Sequence, residues 1–514
     1  MKKMLALLLA LCVMMSMVAC SSNNTDNGSQ SSSANQSSES SKTDASGSTG
    51  DVYSVKMVMP YILTAPGEAA VQQTEDTFND YLKNTLGITD MRLELSVVTW
   101  ADEQTQTPMD LAAKTSYDIV SASFVLSNYV ENGYLLPLDD YLDNELKDAV
   151  ERVEDFMICA KLRGHYYALP SWSGQVIDWK FIYNKEMVDG VVDMEGVDTI
   201  DEVLAKVEEL KEIYPDEHFL AYPNQLPAIY GMEDHTNLIG SYTATVGEST
   251  TIVNYFETEA FKKGCEKAFE VKNKGLCDPE GVTNTFGHDA LVYSGSAKGV
   301  LMGHSLTNDS VEEMFTNNCE YGATFDSVTF GTSDMVNARF MYGIAYTSEN
   351  PTMAARMLNL IWTDEFLFNT LGFGTEGIDY VWNEDHTMLL YPEGLGQMTV
   401  PYNCIYALAG LGDQRMLWYA TGGTSPVDME YIEKLNEEAW FPPTYGFTPD
   451  NANVATQIAA VSNVYNQYYD VLTYGEVDPA EYLPIFLQEL KTAGIDDIIA
   501  EYQSQLDEWL AENK

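Results

Sequence analysis

Cations, histidines and cysteines are scarce in this chain of 514 residues, and each scarcity removes a class of function. Lys and Arg number 27 against 78 Asp and Glu, a formal net charge of −51. Such a surface repels nucleic acid and anionic lipid headgroups alike. The charge reads as solubility close to a membrane, with attraction of a cationic ligand such as a polyamine or basic peptide as the sharper alternative. The six histidines (His165, His218, His235, His288, His304 and His386) never fall at the short spacings that set two metal ligands on one helix face. Glu233-Asp234-His235 and Glu384-Asp385-His386 read as polar loops, and the acidic run from Asp139 to Asp148 lacks the spacing and central glycine of a calcium loop. No metal site is expected. Of seven cysteines, Cys12 falls in the leader and Cys20 is expected to carry a lipid, which leaves Cys159, Cys265, Cys277, Cys319 and Cys404. Five cannot all pair and none sits in a C-x-x-C, so buried free thiols are expected, a Cys265 to Cys277 bridge being the alternative left open.

Catalytic signatures are missing as well. Gly299-Val-Leu-Met-Gly303-His-Ser305 has three residues between its glycines where a phosphate loop has four, and His304 stands where the lysine is required. Ser294-Gly-Ser296 lacks the flanking glycines of a nucleophile elbow. With 78 acidic residues, a carboxylate pair at glycosidase spacing carries no signal. A secreted carbohydrate-active hydrolase stays open as an alternative, but no catalytic residue and no cofactor is assigned.

Beyond the first twenty residues there is no long apolar run. Those twenty begin with Lys2 and Lys3, continue with an apolar stretch from Met4 to Val13, and end Met17-Val18-Ala19-Cys20. The pattern is a lipoprotein signal peptide over 1–19, too short to span a bilayer, with Cys20 as the lipidation site. The mature protein is expected on the outer face of the cell membrane, held there by its lipid anchor alone. Residues 20–50, rich in Ser and Asn with almost no apolar side chain, form a tether that cannot bury enough surface to order itself. The remaining 464 residues suffice for two or three lobes.

What is present alternates. Val55–Met59, Met91–Val98 and Tyr117–Val120 read as strands, with a helix over about Glu68–Leu86 and a short one from Met109 to Lys114. Pro108 is expected to stop that second helix from reaching back across Thr107, which leaves the orientation of Trp100 open. Strand, helix, strand predicts an α/β lobe with a mainly parallel sheet, whose ligands bind at the carboxyl ends of the strands. Trp179–Tyr183 is a strand of a second lobe, followed by a helix over Thr199–Tyr214 with Thr199 and Glu202 as a capping box. Lys298–Gly303 reads as a strand returning to the first lobe. Phe340–Tyr346 runs as a strand into Asn350-Pro351, the N-terminus of a helix with Met353, Ala354, Met357, Leu358 and Ile361 on one face, and Thr363-Asp364 starts another. Helices over Phe261–Lys274, Ala480–Ala493 and Ile495–Leu510 complete the pattern.

The segment Arg339–Trp382, with its strand, Asn-Pro, helix and Gly372-Phe-Gly-Thr-Glu-Gly377, resembles the late part of extracellular solute-binding proteins of bacterial ABC importers. Gly133-Tyr-Leu-Leu-Pro-Leu138 and Tyr167-Ala-Leu-Pro170 strengthen the resemblance. The ending, Leu490–Asp496 through Gln505–Trp509, resembles the DUF3502-type C-terminal domain of a lipoprotein subgroup of family 1. The resemblance implies a two-lobed periplasmic-binding-protein-like (type II) fold with a helical C-terminal extension. The expected bounds are 51–165 for the first part of lobe 1, 166–295 for the first part of lobe 2, 296–350 for a return to lobe 1, and 351–514 for lobe 2 helices and the C-terminal domain. It further implies a monomer that captures a small-molecule solute and hands it to the transmembrane subunits of a permease. The solute it favours is a carbohydrate, an oligosaccharide, with peptide or polyamine as alternatives.

The chain holds 32 tyrosines and 8 tryptophans, and flat rings stack on the apolar faces of sugars. The candidate ligand-binding residues are Trp100, Ser123 and Phe124 from the first lobe, Trp172 at the crossover, Trp179 and Tyr183 from the second lobe, and Tyr342. Ordinary core or hinge packing is the alternative at each. Trp362 and Trp509 are expected in cores.

Overall fold

The computed structural model describes residues 52–62, 64–279, 287–421 and 423–513. The expected signal peptide, the tether and Cys20 lie outside them.

The chain enters through β1 (Tyr53–Tyr61), runs back along α1 (Glu68–Asn84) and lays β2 (Met91–Thr99) parallel to β1, from Tyr53 opposite Met91 to Tyr61 opposite Thr99. Asn79 of α1 pins this pairing: its amide donates to the Leu93 carbonyl at 2.9 Å and accepts from the Leu93 N–H at 2.7 Å. Next comes α2 (Trp100–Ala112), longer than expected because Pro108 lies inside it rather than at its start. The Thr99 hydroxyl accepts from Asp102 N at 2.9 Å to cap the first turn. Glu103, Thr107 and Leu111, four residues apart, bury one face. A cap plus a buried row outweighs the one ladder bond that Pro108 forfeits.

β3 (Ile119–Ser121), parallel to β1, is followed by α3 (Leu126–Glu131), by the small hairpin of β4 (Lys161–Leu162) and β5 (His165–Tyr166), and by β6 (Leu169–Pro170). Residues 171–177 cross to the second lobe. Its central strand is β7 (Asp178–Asn184), buried at every position. α4 (Ile200–Ile213) follows with the expected capping box. A three-stranded sheet of β8 (Thr236–Ile239), β9 (Thr243–Val246) and β10 (Val253–Asn254) leads into α5 (Glu259–Asn273).

Two expectations fail here. β11 (Gly299–His304) does not return to the first lobe: it pairs with β7, as does β12 (Phe325–Thr332) from the other side. Both pairings are antiparallel, so the second-lobe sheet is not the mainly parallel one expected. β7, Asp178-Trp-Lys-Phe-Ile-Tyr-Asn184, is buried at every position although it carries Asp, Lys and Asn, and its residue types do not record the direction of its neighbours.

The return is made by residues 333–340, which deliver β13 (Met341–Ile344) antiparallel to β3 and β6 and close the first sheet in the order β2-β1-β3-β13-β6. α6 (Pro351–Thr363) starts at the expected cap, the Asn350 side chain accepting from Met353 N at 3.3 Å. It is followed by α7 (Glu365–Phe373) and the hairpin of β14 (Val381–Trp382) and β15 (Leu389–Leu390). These elements were expected in the second lobe, but they pack on the first: Ala354, Met357, Leu358 and Trp362 share a core with Met57, Leu93 and Ile119. Helical spacing says that a face is buried, not against which sheet. Trp362 is fully buried and its indole donates to the Pro170 carbonyl at 2.8 Å.

α8 (Pro426–Glu438) lies between the lobes. Its Asp428 carboxylate accepts from Thr307 N at 3.1 Å and from the Ser310 hydroxyl at 2.8 Å in the second lobe, while Ile432 and Leu435 belong to the first-lobe core. The C-terminal helices α9 (Ala455–Thr473), α10 (Pro479–Ala493) and α11 (Ile495–Asn513) build a third core with Ile239, Phe256 and Phe261. Trp509 packs at its edge. Cys159, Cys265, Cys277 and Cys404 are buried free thiols and Cys319 is a partly exposed one, so Cys265 and Cys277 do not pair. Among the described residues no helix is long and apolar enough to cross a membrane.

Candidate functional site

The carboxyl ends of the first-lobe strands carry a group of partly uncovered rings. Because Thr99 closes β2 and caps α2 in one residue, Trp100 emerges at the strand end as the first helical residue. Phe124 leaves the turn after β3 with φ at +63°, a left-handed conformation costly to an aromatic residue, and 55% of it is exposed. Its N–H is held by the Arg339 carbonyl at 3.0 Å, which brings Phe340, the residue before β13, alongside. The Phe124 and Phe340 centroids lie 5.0 Å apart and Trp100 stands 6.4 and 6.5 Å from them, the rings inclined by 59–80°. Gly410 backs Phe340: a Cβ there would come within 3.1 Å of the ring. An exposed large ring held at a backbone cost points to use of its surface.

Beneath the rings the site is polar. Glu103, one turn after Trp100, is 2% exposed, takes a long bond from Gln104 at 3.3 Å, and keeps Oε1 without a hydrogen-bond partner among the described residues. Burial raises its carboxyl above the ordinary value, only partly offset by the neighbouring Ser121 hydroxyl. Tyr129 and Tyr342 lie close enough to feel this carboxyl: their hydroxyls are pushed up first by burial and then by the Glu103 charge. Ser123 is buried and bonded to the Met341 backbone, accepting from its N–H at 3.1 Å.

The structure thus gathers Trp100 and Phe124 of the expected residues and sets Ser123 behind them. Tyr342 is 1% exposed inside the first-lobe core, opposite Ser121 on β3. Trp172 sits at the first crossover, inside the core beside Phe156 and under Arg415, whose guanidinium carbon is 4.5 Å from its ring centre. Arg415 and Arg152 both bind the fully buried Asp413 carboxylate, at 2.8 and 3.0 Å. Trp179 and Tyr183 lie in the second-lobe core with Phe181, Ile200 and Val203. Tyr183 is also five residues along β7 from the crossover, about 17 Å at strand rise.

Two contributions were not foreseen. Phe340 looked like the first residue of a strand, but the strand begins at Met341, which frees Phe340 for the ring group. On the second-lobe side, His235 packs on Trp440 with centroids 4.6 Å apart and bonds Asp334 at 2.8 Å, and the Trp440 backbone carbonyl accepts from Met335 N at 2.9 Å. Burial raises the Asp334 carboxyl. No signal in the sequence marks either one: the sequence places Phe340 in a strand and His235 in a polar loop.

The DUF3502 family profile, a domain of unknown function, matches residues 443–511. A carbohydrate ABC transporter substrate-binding protein of Streptococcus pneumoniae is 22% identical over 442 residues, covering 82% of this chain and 85% of its own. The N-glycan transport solute-binding protein NgtS of the same species superposes with a TM-score of 0.72 at 19% identity, over 90% of this chain and 100% of that one. An HMO-binding, ABC-transporter-associated solute-binding protein of Bifidobacterium longum infantis gives 0.60 at 16%, over 90% and 99%. With sheets, crossings and C-terminal helices arranged as above, the chain has the two-lobed fold of the solute-binding proteins of ABC importers, and its residues 443–511 are similar to DUF3502.

Proposed function

We propose that this chain is the solute-capturing subunit of an ABC importer for carbohydrates, taking an oligosaccharide on the rings of Trp100, Phe124 and Phe340 and closing the second lobe over it. The observation that carries the reading is the open group of three rings at the carboxyl ends of the first-lobe strands. Sugar faces stack on such rings while hydroxyls find polar groups at the edges. Relatives that share the fold and are named for N-glycans and other carbohydrates support an oligosaccharide over a monosaccharide. Closure supplies the mechanism: a solute touching both lobes binds the closed state better, and that difference shifts the population. The reading assigns no covalent step. A lipid on Cys20 would keep the protein at the outer face of the membrane, where the permease takes over the solute.

Calorimetric titration of the purified protein with mono- and oligosaccharides, peptides and polyamines, followed by product analysis, tests this. Saturable binding of an intact oligosaccharide is expected. Binding of peptides or polyamines alone, or recovery of cleaved sugar, would overturn it.

A further inference from the structure

The domain of unknown function touches the two lobes in different ways. Towards the second lobe its contact is apolar and continuous: Phe486 packs on Phe256 with centroids 4.9 Å apart, Tyr469 stacks on Phe261 at 6.1 Å, and Val461, Leu472 and Leu490 fill the same core. Towards the first lobe it makes polar contacts at its rim. Arg163, at the tip of the β4–β5 hairpin, donates Nε to the Asp450 carboxylate at 2.7 Å and pairs with it through its guanidinium. Lys161 on the same hairpin donates to the Asn513 side chain at 2.8 Å, and the Ser127 hydroxyl of α3 donates to the Pro449 carbonyl at 3.0 Å.

Between the two lies a pivot. Tyr445 packs on the first-lobe core and its hydroxyl donates to the Asp155 carbonyl at 3.2 Å, whereas Phe447, two residues on, belongs to the C-terminal core. Gly446 between them has φ at +90° and passes so close to Ile158 that a Cβ would lie 2.6 Å from it. Asn337, in the segment crossing between the lobes, accepts from Gly446 N and donates to the Phe447 carbonyl, both at 2.8 Å. A broad apolar contact resists separation, while exposed hydrogen bonds and ion pairs are individually weak and break and re-form singly.

We propose that the C-terminal domain is an interlobe clasp: it rides on the second lobe, turns at Gly446, and grips the first through Arg163–Asp450, Lys161–Asn513 and Ser127–Pro449, setting the angle between the lobes without touching the solute. The proposal rests on the reading that the lobes close around a solute. Each of these polar contacts contributes little, but open and closed states differ by only a few kcal/mol, and a remote contact present in only one state moves the apparent affinity by its own factor.

The test uses the full chain, as Arg163→Asp, Asp450→Arg, the double exchange of both, and Asn513→Ala. Small-angle scattering of the sugar-free protein reads the lobe angle, and titration with an oligosaccharide that the unaltered protein binds reads the affinity. Each single charge reversal is expected to shift the dissociation constant by about two- to fivefold and in the same direction, with a change in radius of gyration. The double exchange should return both towards the starting values, and Asn513→Ala should act in the same direction with a smaller effect. If the variants melt lower yet keep affinity and radius, or if the double exchange is no better than the singles, the clasp is refuted. Should no sugar bind the unaltered protein, the carbohydrate reading fails, and the radius of gyration alone still decides for or against the clasp.

Discussion

The two lobes use aromatic residues in opposite ways. In the first, Trp100, Phe124 and Phe340 stand where strands have just ended or not yet begun, and their rings stay partly uncovered. In the second, Trp179, Phe181 and Tyr183 alternate along β7 itself, where sheet neighbours and helices cover both faces. Both sets are aromatic; position relative to the strand end decides whether a ring is covered. A ring inside a ladder is covered by the geometry of the sheet, and only one beyond the ladder is free to meet a solute.

The largest effect should come from the covered side. Trp179→Ala opens a void in the second-lobe core and is expected to lower stability by about 3–5 kcal/mol in urea denaturation, taking binding with it only through loss of the fold. A Trp179 variant that stays folded but loses sugar selectively would break the comparison. Phe340→Ala is the counterpart: about a tenfold or greater loss of oligosaccharide affinity by calorimetry, with stability changed far less than by Trp179→Ala.

The polar floor gives a pH signature. Burial holds the Glu103 carboxyl above its ordinary value of 4.5, so the folded protein keeps this proton more tightly than the unfolded chain does. The stabilisation from that proton is complete below the ordinary value and is lost as pH rises through the raised one. Glu103→Gln removes the titration. Its melting temperature should exceed that of the unaltered protein at about pH 8, and the gap should close towards about pH 4. The smallest expected change in stability is that of Phe124→Gly. Relief of the left-handed backbone, about 1–2 kcal/mol, offsets the lost ring contacts, so thermal unfolding should hardly move while sugar affinity falls.

Local chemistry was legible in the sequence, and long-range pairing was not. Asn350 and Thr199 were recognisable as caps because a cap depends on the three residues that follow it. Trp100 and Phe124 were recognisable because strand ends can be read from apolar runs. Pro108 misled, since the tertiary contacts of Glu103 and Leu111 that hold α2 together are invisible locally. β11 was placed in the wrong lobe because a short apolar strand carries no record of its partner, and Phe340 was missed because one residue separates a strand from its approach. Trp179 and Tyr183 looked like site residues only because residue type is easier to read than coverage.

The measurement that tests the account most directly is a paired titration of Trp100→Ala and Phe340→Ala against an oligosaccharide bound by the unaltered protein, with melting curves on the same samples. The account predicts that both variants unfold cooperatively, with melting temperatures close to the unaltered one, and that both bind at least about tenfold more weakly. Unchanged affinity in both would contradict it and move the solute away from the first-lobe rings.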